Sequence, residues 1–358
     1  MKRASRLLSV FCLAGLPAIH AHVIGDAAHD AQARRFAKEF APVRVALLRH
    51  AVAERPHSVG GGAVSPLAEM FGKFSPAVRV RAVGDVLLVE SNGLPAHGMM
   101  TGITAWQQQV PLPQPYAGEN AWRIPLHPQP SPNPVSIKNR FLRGAIALAA
   151  NGIPIFNPQN NRGEVSFDIG ELDQWGGHCG RADDYHYHIA PLHLQASLGP
   201  ALPVAFALDG YPIYGLTEPD GAAPRDLDAF NGHETIALGY HYHASKKYPF
   251  VNGGFHGVVV ERDEQVDPQP RAQGVRPALT ALRGAKIVGF EGTPGPTPST
   301  LSYTVNGSPA SVTYTAIADG QWKFQFVAPD GTAREEIYRA GDRGAGGGDG
   351  KKKGKKRE

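Results

Sequence analysis

The chain has few of the residues and motifs that mark small secreted folds or the common catalytic classes. Only two cysteines occur in 358 residues, and Cys12 lies in an apolar segment near the amino terminus. Cys179 is left alone, so a disulfide framework is excluded and a packed core or a metal must stabilise the fold. Gly-rich phosphate loops, Gly-x-Ser-x-Gly and His-Glu-x-x-His are also absent, so no common hydrolase motif assigns a reaction.

Long hydrophobic runs are equally scarce. The one apolar run of note, residues 7–19, follows Lys2, Arg3 and Arg6 and ends near a small residue, Ala21. It is too short to span a bilayer, and this pattern predicts a signal peptide over residues 1–21. We therefore expect an exported protein, periplasmic or extracellular, with no integral membrane segment after cleavage.

The net charge of +4 comes from the two ends of the chain. Residues 341–358 carry a net +4 and residues 1–21 a net +3, which leaves −3 for the body. This distribution argues against a nucleic-acid-binding face. The Gly/Lys-rich tail, 341–358, is predicted to be disordered, and it is a candidate for contact with anionic surfaces.

A doubled histidine motif dominates the middle of the chain. Tyr185-His186-Tyr187-His188 recurs 55 residues later, and a preceding Leu-Asp-x-x-Gly/Asn-Gly-His motif recurs at the same offset. An earlier Asn/Asp-Gly-x-Pro-Ile motif recurs at an offset of 58. Repeats at a fixed period indicate repeated structural units. The sequence therefore predicts an internal duplication, with copies over residues 145–200 and 204–260.

The composition favours a mainly β fold with irregular loops. Glycine (42) and proline (31) are frequent, which favours short strands and turns. Asn151-Gly152 and Asp209-Gly210 lie between apolar runs, so each repeat is predicted to open with a hairpin. Pro154 and Pro212 follow these turns and are expected on an edge or free-facing side.

The predicted organisation has four parts between the signal peptide and the tail. An amino-terminal segment (22–85) is expected to be partly helical over 26–55 and loop-like over 56–76. The duplicated core (86–262) is followed by a Pro-rich linker (263–285) and an accessory antiparallel β-meander of about four strands (286–340).

The histidine spacing predicts metal sites. Alternate residues of a strand share a face, so His186 and His188 face one side and the two tyrosines the other. Imidazole suits zinc, copper, iron and nickel, and three protein ligands with an open position are typical of catalytic zinc. Each repeat could build one site, or both could share one across a pseudo-two-fold axis. The six candidate ligands are His178, His186, His188, His233, His241 and His243.

Other residues are assigned supporting roles. Asp173 and Asp228 occur at equivalent positions of the two copies. They are candidates to orient a metal-binding histidine by a hydrogen bond, without binding the metal themselves. His256, among glycines, is the candidate for an additional ligand or an acid/base. Cys179 aligns with Glu234, so a thiolate in one site and a carboxylate in the other would make the two sites inequivalent.

Two hypotheses of different kinds remain open at this point. The first is a protein with one or two metal ions, with zinc preferred and copper the alternative in an exported protein. Metal-activated water would give it a hydrolytic reaction if it is an enzyme. The second is a non-enzymatic binding or matrix protein for a small molecule or glycan, in which the His/Tyr clusters are structural hydrogen-bond networks. Convergence of three ring nitrogens on one small space would favour the first.

These motifs resemble a named family. The two Tyr-His-Tyr-His motifs, the Leu-Asp-x-x-Gly/Asn-Gly-His motifs and Leu208-Asp209-Gly210-Tyr211 together look like the YHYH domain proteins, over residues 90–270. The resemblance implies an exported protein and brings no established reaction. Some members have Glu-Cys after the Leu-Asp, where this chain has Gln174-Trp175 and Ala229-Phe230. A thiol role at that position therefore does not carry over.

Overall fold

The computed structural model describes residues 66–339. The predicted signal peptide, the helical stretch 26–55 and the basic tail 341–358 lie outside these residues. Within them, no helix is long and apolar enough to cross a membrane. The first described element is a short helix, α1 (Pro66–Gly72), which forms where the sequence predicted a loop. Leu67, Met70 and Phe71 form its buried face at helical spacing.

The described chain is mainly β. Its second helix is a single turn, α2 (Gln195–Leu198). The strands are β1 (Arg79–Val83), β2 (Val86–Glu90), β3 (Trp122–Pro125), β4 (Pro130–Ser136), β5 (Ala145–Ala149), β6 (Pro154–Phe156), β7 (Gly177–Cys179), β8 (Tyr185–Tyr187), β9 (Ala205–Ala207), β10 (Pro212–Tyr214), β11 (Gly232–Thr235), β12 (Gly239–His243), β13 (Gly254–Gly257), β14 (Glu261–Arg262), β15 (Gln265–Val266), β16 (Ala285–Glu291), β17 (Ser299–Val305), β18 (Ser308–Ala316), β19 (Gln321–Val327) and β20 (Ala333–Arg339).

The two repeats form one continuous sheet. Its eight strands run in the order β11-β12-β10-β9-β5-β6-β8-β7, so the second copy mirrors the first about the centre. The central pair, β5 and β9, is antiparallel, and Leu148 lies opposite Phe206. These residues are 58 apart, the offset that relates the two hairpins in the sequence. The duplication axis therefore passes through this pair, and the repeated histidines lie near the two outer ends of the sheet.

The predicted hairpins are present, but their turns differ from the expected two-residue type. In the first, the Gly152 amide donates to the carbonyl of Ala149, and only the glycine has a positive φ, 74°. Gly210 repeats this geometry with φ 94°. This is the three-residue loop that ends in a left-handed glycine.

Of the two positions expected for the prolines, the edge is wrong and the free-facing side fits, since neither proline has a partner in the parallel neighbouring strand. Pro154 begins β6 and Pro212 begins β10, and both strands have neighbours on each side. A proline is tolerated as the first residue of a strand because its missing N–H then removes no interior ladder bond.

The carboxy-terminal meander has five strands, β16 to β20, paired in sequence order. It packs against the repeat core rather than lying apart from it. The Trp106 and Tyr303 rings are 4.8 Å apart, and the Tyr314 hydroxyl donates to the carbonyl of Pro111 at 2.8 Å. Within the Pro-rich segment before it, Arg276 makes a buried ion pair with Asp183 at 2.8 Å.

Candidate metal centres

The first histidine cluster comprises His178, His186 and His188. Strands β7 and β8 pair so that His178 lies opposite His186, and His188 follows directly after β8. Nε2 of His188 lies 3.0 Å from Nε2 of His178 and 3.2 Å from Nε2 of His186. His186 and His188 are buried, whereas His178 is partly exposed. The predicted imidazole face therefore gathers three ring nitrogens in one small space.

The second histidine cluster comprises Glu218, His233, His241 and His243. His233 lies opposite His241 in the pairing of β11 with β12, and their Nε2 atoms are 3.0 Å apart. The Glu218 carboxylate approaches all three rings, with oxygen–Nε2 distances of 2.9 Å to His233, 3.3 Å to His241 and 3.2 Å to His243. All four potential ligand atoms lie within 4.8 Å of one another.

Backbone carbonyls set the orientation of four of these rings. Nδ1 of His186 lies 3.0 Å from the carbonyl oxygen of Asp184, and Nδ1 of His188 lies 2.5 Å from that of Asn157. In the second cluster, Nδ1 of His241 and of His243 bind the carbonyls of Gly239 and Gly215 at 2.9 and 3.2 Å. A carbonyl oxygen only accepts, so each Nδ1 carries the hydrogen. In the neutral ring the lone pair is then on Nε2, as in a metal-binding histidine.

Burial favours the neutral state of three rings, those of His178, His188 and His243. Burial lowers the pKa of His188 to about 3, with a smaller contribution from His186. Burial, followed by the neighbouring histidines and Arg162, holds the pKa of His178 well below its usual value. Burial also lowers the pKa of His243. Imidazoles that stay neutral keep their Nε2 lone pairs free to bind a metal.

The four rings whose Nδ1 binds a carbonyl have no hydrogen on Nε2 to donate. Between His186 and His188, two lone pairs face each other at 3.2 Å. In the second cluster, the buried Nε2 of His243 makes no hydrogen bond among the described residues, although a Glu218 oxygen is 3.2 Å away. A cation placed between the ligands would remove this repulsion. Zinc–nitrogen bonds of ~2.0–2.1 Å in a tetrahedron place ligand atoms ~3.3 Å apart, close to the observed separations.

The two clusters are separate. Five strand-to-strand steps lie between β8 and β12 in the sheet. At ~4.8 Å a step, the clusters are ~24 Å apart along the sheet, too far to share an ion. Of the two arrangements that the sequence left open, the structure has one cluster per repeat.

The tyrosine face contains a second repeated network. The Tyr185 hydroxyl donates to Oδ2 of Asp173 at 2.8 Å, and Tyr240 donates to Oδ2 of Asp228 at 2.7 Å. Oδ1 of Asp173 also accepts the amide of Gly177 at 3.2 Å. The predicted role of the two aspartates is therefore wrong: among the described residues they bind tyrosines and turn amides, not histidines. Strand alternation explains this, because it puts Tyr185 on the face away from His186.

The turn residue Asp209 belongs to the tyrosine face as well. Its Oδ2 accepts the Tyr242 hydroxyl at 2.6 Å and the Gly257 amide at 2.9 Å. Burial raises the pKa of Asp209 to about 6, although these hydrogen bonds oppose the shift. Its counterpart in the first repeat, Asn151, donates to the Tyr187 hydroxyl at 3.0 Å. Sequence reasoning treated Asp209 only as a turn former and missed this contact.

His256 is not placed to act as an additional ligand. Its ring stacks on Tyr240 with centroids 3.6 Å apart and an interplanar angle of 11°. Tyr240 and His241 are consecutive in β12, so the stack lies on the face opposite the second cluster. His256 does not belong to either group of potential ligands found among the described residues.

The expectation that Cys179 and Glu234 make the two clusters different is also wrong. Cys179 pairs with Tyr185 and Glu234 with Tyr240, so both lie at tyrosine positions of the ladder. Cys179 is buried, and burial raises the pKa of its thiol well above the usual value. The two clusters do differ, but the difference is Glu218, which the sequence reasoning did not single out.

A groove of about 890 Å³ opens beside the second cluster. Glu218 and His233 contribute to its lining, together with Tyr240 and His256. The other charged groups of the lining are four carboxylates and one guanidinium, on Asp220, Asp226, Asp228, Glu234 and Arg225. The second cluster is therefore accessible from an acidic groove.

The fold and the site define a duplicated β-sheet protein with one histidine cluster near each outer end of its sheet. Residues 121–224 match the family model described as YHYH protein, in agreement with the resemblance seen in the sequence motifs. The match covers the first repeat and ends before the second Tyr-His-Tyr-His motif. Comparisons with curated proteins and with solved structures gave no match.

Proposed function

We propose that this YHYH-domain protein binds two transition metal ions, one in each histidine cluster. The observation that carries the proposal is the convergence of three Nε2 atoms in each repeat, with Nδ1 of two rings bound to backbone carbonyls. In each cluster two imidazoles direct Nε2 lone pairs into the same small space, and a cation there would bind both lone pairs. A structural hydrogen-bond network would instead pair each acceptor with a donor.

The ligand types favour zinc. Imidazole nitrogens and one carboxylate oxygen suit a borderline ion, whereas Cu(I) prefers sulfur ligands. The single cysteine of the described residues, Cys179, lies at a tyrosine position of the ladder and outside both clusters. Copper in its oxidised form is the alternative that the test below includes.

We further propose that the protein acts outside the cytoplasm and that its reaction, if it has one, is hydrolytic. The first proposal rests on the apolar and basic pattern of residues 1–21. The second rests on the chemistry of a zinc-bound water, whose pKa falls to ~7. For the glycan alternative, Trp106, Trp122 and Trp322 are buried and cannot stack on a sugar, whereas Tyr248 is exposed and could do so.

Metal analysis of untagged protein tests the proposal. After dialysis against zinc or copper and removal of free ions, we expect two ions per chain by elemental analysis. The double substitution His186→Ala with His188→Ala is expected to leave one ion. The double substitution His241→Ala with His243→Ala is also expected to leave one ion.

The matched control is His127→Ala, because His127 is exposed and belongs to neither cluster. It removes a histidine and is expected to leave two ions. Wild-type protein that retains no metal would refute the proposal. So would double variants that bind as much as the wild type.

A further inference from the structure

The two histidine clusters differ at one position. The hairpin offset of 58 residues relates Glu218 to Asn160, and the backbone confirms the correspondence. The Asn160 amide donates to the carbonyl of Glu164, and the Glu218 amide donates to the equivalent carbonyl of Ala222, at 2.8 and 2.9 Å. The same turn therefore follows β6 and β10, with an amide side chain in one copy and a carboxylate in the other.

The polar atoms of Asn160 are all used within its own loop. Its Oδ1 accepts the amides of Arg162 and Glu164 at 2.9 and 3.2 Å, and its Nδ2 donates to the Glu171 carboxylate at 3.3 Å. Asn160 is consequently no part of the first cluster, whose potential ligands among the described residues are three histidines.

In the second copy of the turn, a different residue takes the stabilising role that Asn160 has in the first. There Asp220 accepts the Ala222 amide at 2.9 Å, so Glu218 is not needed to stabilise the loop. Its carboxylate instead approaches three Nε2 atoms at 2.9 to 3.3 Å. Oε1 makes the contacts with His233 and His243 and Oε2 the contact with His241. Ligands of one tetrahedral ion are ~3.3 Å apart, so the carboxylate is placed to serve as a fourth ligand.

From this difference we infer that the two clusters hold metal in different coordination states. The inference rests on the metal binding proposed above. The second cluster is closed by Glu218, whereas the first keeps a fourth position for an exchangeable water or small anion. His178 is the least buried of the three histidines in the first cluster. An open position next to three histidines is what metal-activated water requires, and so the first cluster is the reactive one.

Cobalt(II) and azide are the probes that test the inference. The variant His241→Ala with His243→Ala isolates the first cluster, and His186→Ala with His188→Ala isolates the second. Each is loaded with one equivalent of Co²⁺, and its visible absorption is followed as azide is added. We expect a saturable spectral change for the first cluster and none for the second.

Exchanging the differing residue provides the matched controls. Glu218→Asn in the protein with the isolated second cluster is expected to create an azide response. Asn160→Glu in the protein with the isolated first cluster is expected to abolish it. The Glu218→Asn arm keeps the test decisive even if Asn160→Glu disturbs its loop.

Cobalt binding tests whether both clusters are metal sites, and the azide response tests whether their coordination differs. Failure of either cluster to bind cobalt would refute the proposal of two metal sites, and the inference with it. Cobalt bound in both clusters with equal azide responses, or with none, would overturn the inference alone.

Discussion

Metal should stabilise the two repeats independently and by similar amounts. A ligand that binds only the folded protein adds ~2.7 kcal/mol to the free energy of unfolding at a free concentration of 100 times its Kd. The clusters lie ~24 Å apart by the strand spacing, beyond the ~7–10 Å within which effects couple. Two zinc sites should therefore add about 5 kcal/mol. At ~2–4 °C per kcal/mol for a chain of this size, Tm should rise by ~10–20 °C.

The assay is thermal unfolding of chelator-treated protein, followed by circular dichroism with free zinc buffered at 100 times the measured Kd. Removing either cluster by the double alanine substitutions should halve the zinc-induced rise. His127→Ala should leave it unchanged. The reasoning is refuted if zinc does not raise Tm of the wild type. It also fails if a variant with one cluster gains as much as the wild type, because the sites would then not be independent.

Three further predictions concern residues outside the ligand sets. Burial raises the pKa of Asp209 above its unfolded value of 3.8 to about 6, so its contribution to stability is present below pH ~4 and lost as pH rises through ~6. Asp209→Asn should remove that ~3 kcal/mol pH dependence in urea titrations at pH 4 and 7. Arg276→Met leaves Asp183 buried and unpaired and should lower the free energy of unfolding by ~3–5 kcal/mol. Arg276→Met plus Asp183→Asn should recover part of it, because asparagine carries no charge, tolerates the φ of 59° and can still accept the Val110 amide. A Cβ on Gly177 would lie 2.5 Å from the Tyr185 hydroxyl and 2.8 Å from a backbone carbonyl, so Gly177→Ala should lower metal affinity in the first cluster only, as measured by zinc titration.

Local periodicity was sufficient to predict the faces of the repeated strands. The alternation of His and Tyr predicted an imidazole face and a phenol face, and the contacts of His186 with His188 and of Tyr185 with Tyr187 confirm it. The order of the eight-stranded sheet was beyond such reasoning. The parallel pairing of β6 with β8, and of β10 with β12, joins segments about 30 residues apart, and nothing in either segment encodes its neighbour.

Glu218 could not be found from the sequence, for a specific reason. Two offsets relate the repeats, 58 at the hairpins and 55 at the histidines, so the alignment changes within the loop between them. At offset 55 Glu218 corresponds to Gly163, and at offset 58 to Asn160. Neither residue is of a type expected to bind a metal. A search for residues that both copies retain therefore does not find Glu218. A functional residue present in one copy only is found from its distances to its neighbours.

The tyrosine face explains how one scaffold can carry two clusters of different composition. In both repeats a tyrosine donates to an aspartate at 2.7 to 2.8 Å, and that aspartate also accepts the amide of the glycine before the first histidine. Gly177 and Gly232 leave room for the crossing tyrosine ring, which a Cβ would contact within 2.5 Å. These contacts position both histidine strands from the face opposite the metal. Glu218 is consequently not needed to hold the three histidines, so Glu218 and Asn160 could diverge without disturbing them.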